Sequence, residues 1–132
     1  MATSLICSET QSRVSSVLHR DVKQYGKKYM FDNNEETCWN SDQGECQWVS
    51  LDFPKSVRVS EIKILFQGGF SAKTCILEGK ISQFYPEDNN CLQISFNPRR
   101  KLDKVKILFE NGADFFGRVI VYSLDVLGEK TS

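Results

Sequence analysis

Histidine is nearly absent from this 132-residue sequence, which has only His19. A metal site built from several histidines is therefore excluded, and a histidine-dependent nucleophile would have one candidate base. No two cysteines are separated by two residues, which excludes zinc ribbons and thioredoxin-like motifs. Net charge is absent too, since 17 Lys and Arg residues balance 17 Asp and Glu residues. This balance argues against direct nucleic-acid binding through phosphates and against a polybasic membrane anchor.

Long apolar runs are also missing. No stretch approaches the ~20 apolar residues of a membrane span, and residues 1–20 contain no apolar run of signal-peptide length. The five cysteines are an odd number, at positions 7, 38, 46, 75 and 91. A chain without a leader and with unpaired thiols is typical of a reducing intracellular compartment. We therefore expect an intracellular protein with five free thiols and no membrane association.

Catalytic signatures are absent as well. The sequence has no GxSxG, no P-loop and no GxGxxG motif. His19 lies in a polar stretch without an evident orienting partner. Glu35 and Glu36 are adjacent, so on an extended chain their carboxylates point in opposite directions and form no acid–base pair. These features predict a protein that is not an enzyme.

The sequence does contain a repeated alternation of apolar and polar residues, which is typical of half-buried strands. This alternation occurs in seven short segments: 49–53, 57–59, 62–66, 76–81, 92–96, 105–109 and 119–127. Turn residues separate them at 41–44, 68–69, 86–90, 97–98 and 111–112. Residues 14–25 fit a helical stripe about as well as a strand followed by a loop. The pattern predicts one all-β domain over residues 1–132, with a core at 13–128 and short polar or charged ends.

A motif in residues 31–53 carries a family resemblance. An Asp-containing turn precedes Thr37, Trp39 and Ser41, a short loop ends at Gly44, and Gln-Trp begins the next strand at position 47. This arrangement resembles the discoidin, or coagulation-factor type C, signature. The resemblance extends over about residues 13–128 and implies a galactose-binding-like jelly-roll β-sandwich of about eight strands. It also favours a strand at 13–16.

Five further segments resemble a vertebrate family of one-domain nuclear-receptor-associated proteins: 36–44, 66–70, 84–90, 114–118 and 127–130. The segment from Leu77 to Phe84 is several residues shorter here. This resemblance implies an interaction module that represses transcription by binding an orphan nuclear receptor. We expect it to be nuclear and monomeric. The fold itself suggests an alternative, a glycan- or small-ligand-binding domain. A sugar site would need an exposed Trp or Tyr near His, Arg and Asn, whereas a protein site would need a flatter apolar patch.

Oxygen-bearing side chains cluster on the loop before Trp39. Asp32, Asn34 and Thr37 have a spacing that could surround calcium. In many discoidin relatives this loop binds calcium with help from a carboxylate on the closing strand, where this chain has Ser123. The same residues would also form a self-capped turn, with side chains bonding to backbone N–H groups. We expect the turn and no cofactor, with calcium as the alternative.

The two tryptophans of the discoidin-like motif, Trp39 and Trp48, are expected to pack in the core, with ligand stacking as the alternative. The candidate binding surface lies elsewhere, on loops expected at one end of the sandwich. Aromatic rings close to an arginine are typical of an interface hot spot. The alternative is that these rings plug the end of the barrel. Five residues form the candidate partner-binding site: Phe70, Tyr85, Phe115, Phe116 and Arg118.

Overall fold

The fold is seen in a computed structural model, which describes residues 3–32, 34, 36–77, 82–84, 91–112 and 114–130. For residues 73, 77, 82–84, 91–100 and 111 only the backbone is described. Eight strands occur in these ranges: β1 (Thr3–Ser4), β2 (Gln11–Val14), β3 (Trp39–Asn40), β4 (Cys46–Phe66), β5 (Ala72–Leu77), β6 (Ser82–Phe84), β7 (Cys91–Gly112) and β8 (Ile120–Lys130). The same ranges contain one short α-helix, α1 (Val22–Tyr25), and two 3₁₀ turns, Leu18–Arg20 and Lys27–Met30.

All strand pairs are antiparallel, and they form one sheet in the order β1-β8-β4-β7-β5-β6. Strand β2 pairs with β4, and β3 pairs with β8. The first half of β4 therefore lies between β2 and β7, and its second half lies between β7 and β8. This change of neighbours curls the sheet around a core. The all-β prediction is confirmed.

Two prolines lie inside the long strands rather than between them. Pro54 is in β4, where residues 53–56 bulge opposite residue 103 of β7. Residues 96–99 of β7, which include Pro98, bulge opposite residue 60 of β4. Proline lacks the N–H that a sheet interior needs, and a bulge removes that requirement. The predicted turn at 97–98 was therefore wrong, because the chain continues as a strand through a bulge.

The segment that the sequence left ambiguous is a strand followed by short helical turns. Strand β2 ends at Val14. Helix α1 then begins after Asp21, whose carboxylate accepts a hydrogen bond of 3.3 Å from the Gln24 backbone N–H. Most of the shortened segment after Leu77 lies outside the described residues, and the strands on either side of it, β5 and β6, pair antiparallel with Leu77 opposite Ser82.

The core lies inside the curled sheet and contains the inward-facing residues of β4, β7 and β8, such as Leu51, Ile107 and Val126. Leu5 is also in this core and is 1% exposed, so the core begins before the expected position 13. Trp39 is fully buried, and its indole N–H donates to the Ser16 carbonyl at 2.9 Å. The prediction for Trp39 is therefore confirmed.

Trp48 differs from the prediction, because it is half-buried and lies outside this core. Val49 and Leu51 point inward from β4, so their neighbour Trp48 points outward. The ammonium of Lys106 lies 4.5 Å from the centre of its ring. The ring therefore packs beneath a lysine on the outer face of the sheet.

Four cysteines have described side chains, and all four carry free thiols: Cys7, Cys38, Cys46 and Cys75. Burial raises the pKa of the Cys75 thiol to about 12. The side chain of Cys91 lies outside the described part. Over the described ranges, none of the helices combines the length and apolar character needed to cross a bilayer.

Candidate functional site

The loop 114–118 lies between β7 and β8 and is organised by Asp114. Its Oδ2 accepts hydrogen bonds from the backbone N–H groups of Phe116 at 3.2 Å and Arg118 at 3.1 Å. The Arg118 side chain adds two more, from Nε to Oδ2 at 3.1 Å and from Nη2 to Oδ1 at 3.3 Å. These hydrogen bonds from Arg118 lower the pKa of the Asp114 carboxyl, and the same pairing raises the pKa of Arg118. A charge-assisted network of this kind fixes the loop in one shape.

A second loop, 41–45, contacts the loop 114–118. The Gly44 N–H donates to the Phe116 carbonyl at 3.1 Å. Gly117 has a φ of +79°, and a Cβ added there would lie 1.9 Å from the Gly44 carbonyl oxygen. Ser41 extends the junction, because its Oγ accepts from the Val119 N–H at 2.8 Å. At position 117 only a glycine, which has no Cβ, allows the backbones of the two loops to approach this closely.

The two adjacent phenylalanines of the loop both face outward. Phe115 is 94% exposed and Phe116 is 52% exposed. Their rings meet edge to face with centroids 5.3 Å apart. Phe115 therefore does not plug the end of the sandwich, in contrast to the alternative considered for this ring.

Phe70 and Arg118 connect this loop to the loop after β4. The Arg118 guanidinium carbon lies 5.4 Å from the centre of the Phe70 ring and 5.8 Å from that of Phe116. Phe70 is held by its backbone, whose N–H donates to Gln67 at 3.0 Å and whose carbonyl accepts from Ile120 at 3.1 Å. The structure thus brings four candidate residues together, and the fifth, Tyr85, lies outside the described residues. We call Phe70, Phe115, Phe116 and Arg118 the aromatic tip.

A groove of about 690 Å³ lies beside the aromatic tip. Its walls come from the loop 41–45, the first residue of β4, the end of β7 and the loop 114–118. Three of its lining residues were not predicted from the sequence: Glu45, Cys46 and Glu110. Strand pairing places Cys46 directly opposite Glu110, a juxtaposition that only the register reveals. Partial burial and the nearby Glu110 carboxylate raise the pKa of the Cys46 thiol.

The loop proposed for calcium forms a self-capped turn. The Thr37 hydroxyl donates to Asp32 Oδ2 at 2.5 Å, and the Asn34 N–H donates to Asp32 Oδ1 at 3.1 Å. The Glu36 N–H donates to Asn34 Oδ1 at 2.9 Å. Within the described ranges no group of three or more His, Cys, Asp or Glu residues is placed to hold a metal ion. These contacts favour the structural turn.

Comparison with known proteins relates the chain to one set of curated relatives. The nuclear receptor 2C2-associated protein of Danio rerio is 66% identical over 139 residues, covering 98% of this chain and 99% of the relative. The Homo sapiens and Xenopus tropicalis proteins of the same name are each 56% identical. The human match covers 98% of this chain and 99% of the relative, and the frog match covers 97% and 100%. The chain belongs to the nuclear receptor 2C2-associated protein family.

Solved structures similar to the chain share its fold. An F5/8 type C domain from Bacteroides fragilis superposes with a TM-score of 0.75 at 11% identity and covers 98% of both chains. The family 32 CBM of C. perfringens NanJ, in complex with galactose, gives 0.72 at 21% identity and covers 96% of this chain and 99% of the module. A chitosan-binding module from Paenibacillus sp. IK-5 gives 0.74 at 17% and covers 95% and 98%. No family model matches the chain. The predicted discoidin-like, galactose-binding-like fold is confirmed.

Proposed function

We propose that this chain is a non-catalytic interaction module that associates with nuclear receptor 2C2 and represses transcription through protein–protein binding. We further propose that it acts in the nucleus as a monomer, without direct contact to nucleic acid or membrane. The names of relatives that match nearly the whole chain support the receptor as partner. The observation that carries the proposal is the aromatic tip, with Phe115 94% exposed on a loop fixed from both sides.

The exposure of the Phe115 ring has an energetic consequence. Burying a phenylalanine side chain is worth about 1.5–3 kcal/mol, which the folded chain leaves unused at Phe115. The hydrogen bonds of Asp114 and Gly44 have already ordered the loop. A partner that covers the ring would therefore gain its burial without paying to immobilise the backbone. Exposed aromatic rings beside an arginine match the composition of protein-interface hot spots.

Sugar binding is the alternative function, and two observations bear on it. Solved neighbours include a module in complex with galactose, which at 21% identity shows the fold alone. Among the described residues that line the groove there is no His, Arg, Asn, Trp or Tyr. These are the residues expected to surround a sugar, so the lining supports a protein partner instead.

Direct binding of the purified full-length chain tests the proposal. The chain would be immobilised and titrated with purified nuclear receptor 2C2, and separately with galactose, by biolayer interferometry. We expect saturable binding of the receptor and no response to galactose. Saturable galactose binding without receptor binding would replace the proposal with the alternative.

A further inference from the structure

The groove beside the aromatic tip is lined by both acidic and aromatic residues. Glu45 is an exposed part of the lining, and Glu110 is half-buried. Phe115 and Phe116 are its aromatic residues. Within the described ranges, neither Glu45 nor Glu110 forms an ion pair. The groove therefore contains two carboxylates together with aromatic rings that are exposed to solvent.

Two cations close to the groove are already engaged. The Arg118 guanidinium is paired with Asp114, so these two charges cancel. The Lys106 ammonium lies over the ring of Trp48 at 4.5 Å. No lysine or arginine occurs among the described residues that line the groove. The lining keeps a net negative charge from Glu45 and Glu110.

We propose that this groove receives an arginine side chain from a basic segment of the protein partner. This inference rests on the proposed function and specifies which side chain of the partner enters the groove. Charge complementarity selects a cation, because a neutral or acidic segment would leave the Glu110 carboxylate partly desolvated and unpaired. The two phenylalanines of the lining favour arginine over lysine, since a planar guanidinium stacks on a ring face and forms bidentate hydrogen bonds with carboxylates.

Small-molecule probes test the groove independently of the receptor. N-acetylarginine amide would be titrated into the full ¹⁵N-labelled chain and followed by NMR. N-acetylcitrulline amide, which has nearly the same shape without the charge, is the matched control probe, and galactose is a third. We expect the arginine probe alone to shift the backbone amide signals of Glu45, Cys46, Glu110 and Phe115.

Isosteric variants identify the carboxylates responsible. Glu45→Gln and Glu110→Gln remove charge with little change of shape, and we expect each to weaken the arginine probe up to about fivefold, the range of an exposed ion pair. The double variant should bind more weakly than either. Asp103→Asn is the control, because Asp103 is an exposed acid on the same strand as Glu110, roughly 23 Å further along β7. Melting temperatures confirm that each variant is folded.

Three results would overturn the inference: no shifts with the arginine probe, equal shifts with citrulline, or signals at the groove with galactose only. The receptor titration separates this outcome from failure of the proposed function. Receptor binding that Glu45→Gln and Glu110→Gln leave unchanged would remove the arginine proposal while the interaction module stands. Arginine-specific shifts without receptor binding would keep the groove's chemistry and reject that receptor as the partner.

Discussion

The Asp114 carboxylate and the Arg118 guanidinium meet at 3.1 Å and close the loop that carries Phe115 and Phe116. Arg118 also stacks over Phe70 on the neighbouring loop. This ion pair therefore contributes both to the shape of the aromatic tip and to its contact with the neighbouring loop. The pair is partly exposed, so its role is to fix geometry more than to supply stability.

This pair predicts a pH dependence. Because hydrogen bonds from Arg118 hold the pKa of Asp114 below its ordinary value of 3.8, the folded state binds fewer protons there than the unfolded state. Its contribution to stability is thus complete above pH 3.8 and is lost as the pH falls through the lowered pKa. Asp114→Asn lacks this contribution at every pH.

Urea unfolding of wild type and Asp114→Asn, in steps from about pH 6 to about pH 2.5, measures the effect through proton linkage. We expect the wild type to be more stable at the upper end, with the difference shrinking below pH 3.8. A difference that stays constant across the range would show that the Asp114 charge contributes nothing to the loop.

Gly117 predicts a second effect, for which Gly69 offers a matched control. Both glycines have a positive φ, +79° and +84°, so alanine strains the backbone at either position. At Gly117 the added Cβ would also lie 1.9 Å from the Gly44 carbonyl oxygen, whereas at Gly69 nothing lies within 4 Å.

We expect Gly69→Ala to lower the free energy of unfolding by about 1 kcal/mol, the cost of a left-handed conformation for a residue with a Cβ. Gly117→Ala should cost more than Gly69→Ala and should also weaken receptor binding, because the loops must separate. Chemical denaturation of both variants measures the two losses. Equal losses would mean that the contact between Gly117 and Gly44 is not tight.

Sequence patterns predicted the sheet but not all of its consequences. The alternation of Val49 and Leu51 with polar residues identified the first part of β4, and the same alternation places Trp48 on the outer face. Both tryptophans were expected in the core because large rings beside a tight loop usually pack there, whereas the periodicity of the strand places Trp48 on the outer face. Pro98 was predicted to lie in a turn. Its position in a bulge depends on pairing with the partner strand, which the local sequence does not reveal.

The candidate site was predictable only in part, because its loops are evident in the sequence whereas its groove depends on strand pairing. Aromatic residues next to glycine or to one another pointed to loops, which is where Phe70 and Phe115 lie. Glu45 and Glu110 are distant in the sequence and become neighbours of one groove only through the pairing of β4 with β7. Long-range register of this kind leaves no local signature.

Calcium should have little effect on stability, because Asp32 already accepts bonds from Thr37 and Asn34. We expect the melting temperature in millimolar calcium and in chelator to agree within about a degree. A site occupied at a hundredfold excess over Kd would add ~2.7 kcal/mol, or several degrees for a chain of this length. A shift of that size would restore the calcium site implied by the discoidin resemblance.

The central claim is that the aromatic tip binds the partner, and the affinity of Phe115→Ala for purified nuclear receptor 2C2 tests it most directly. Leu65→Ala is the matched control, since Leu65 is another exposed apolar residue, at 41%, but lies on β4. We predict a loss of roughly thirtyfold or more for Phe115→Ala, no loss for Leu65→Ala, and unchanged melting temperatures for both. Wild-type affinity in Phe115→Ala, or equal losses in the two variants, would contradict the claim.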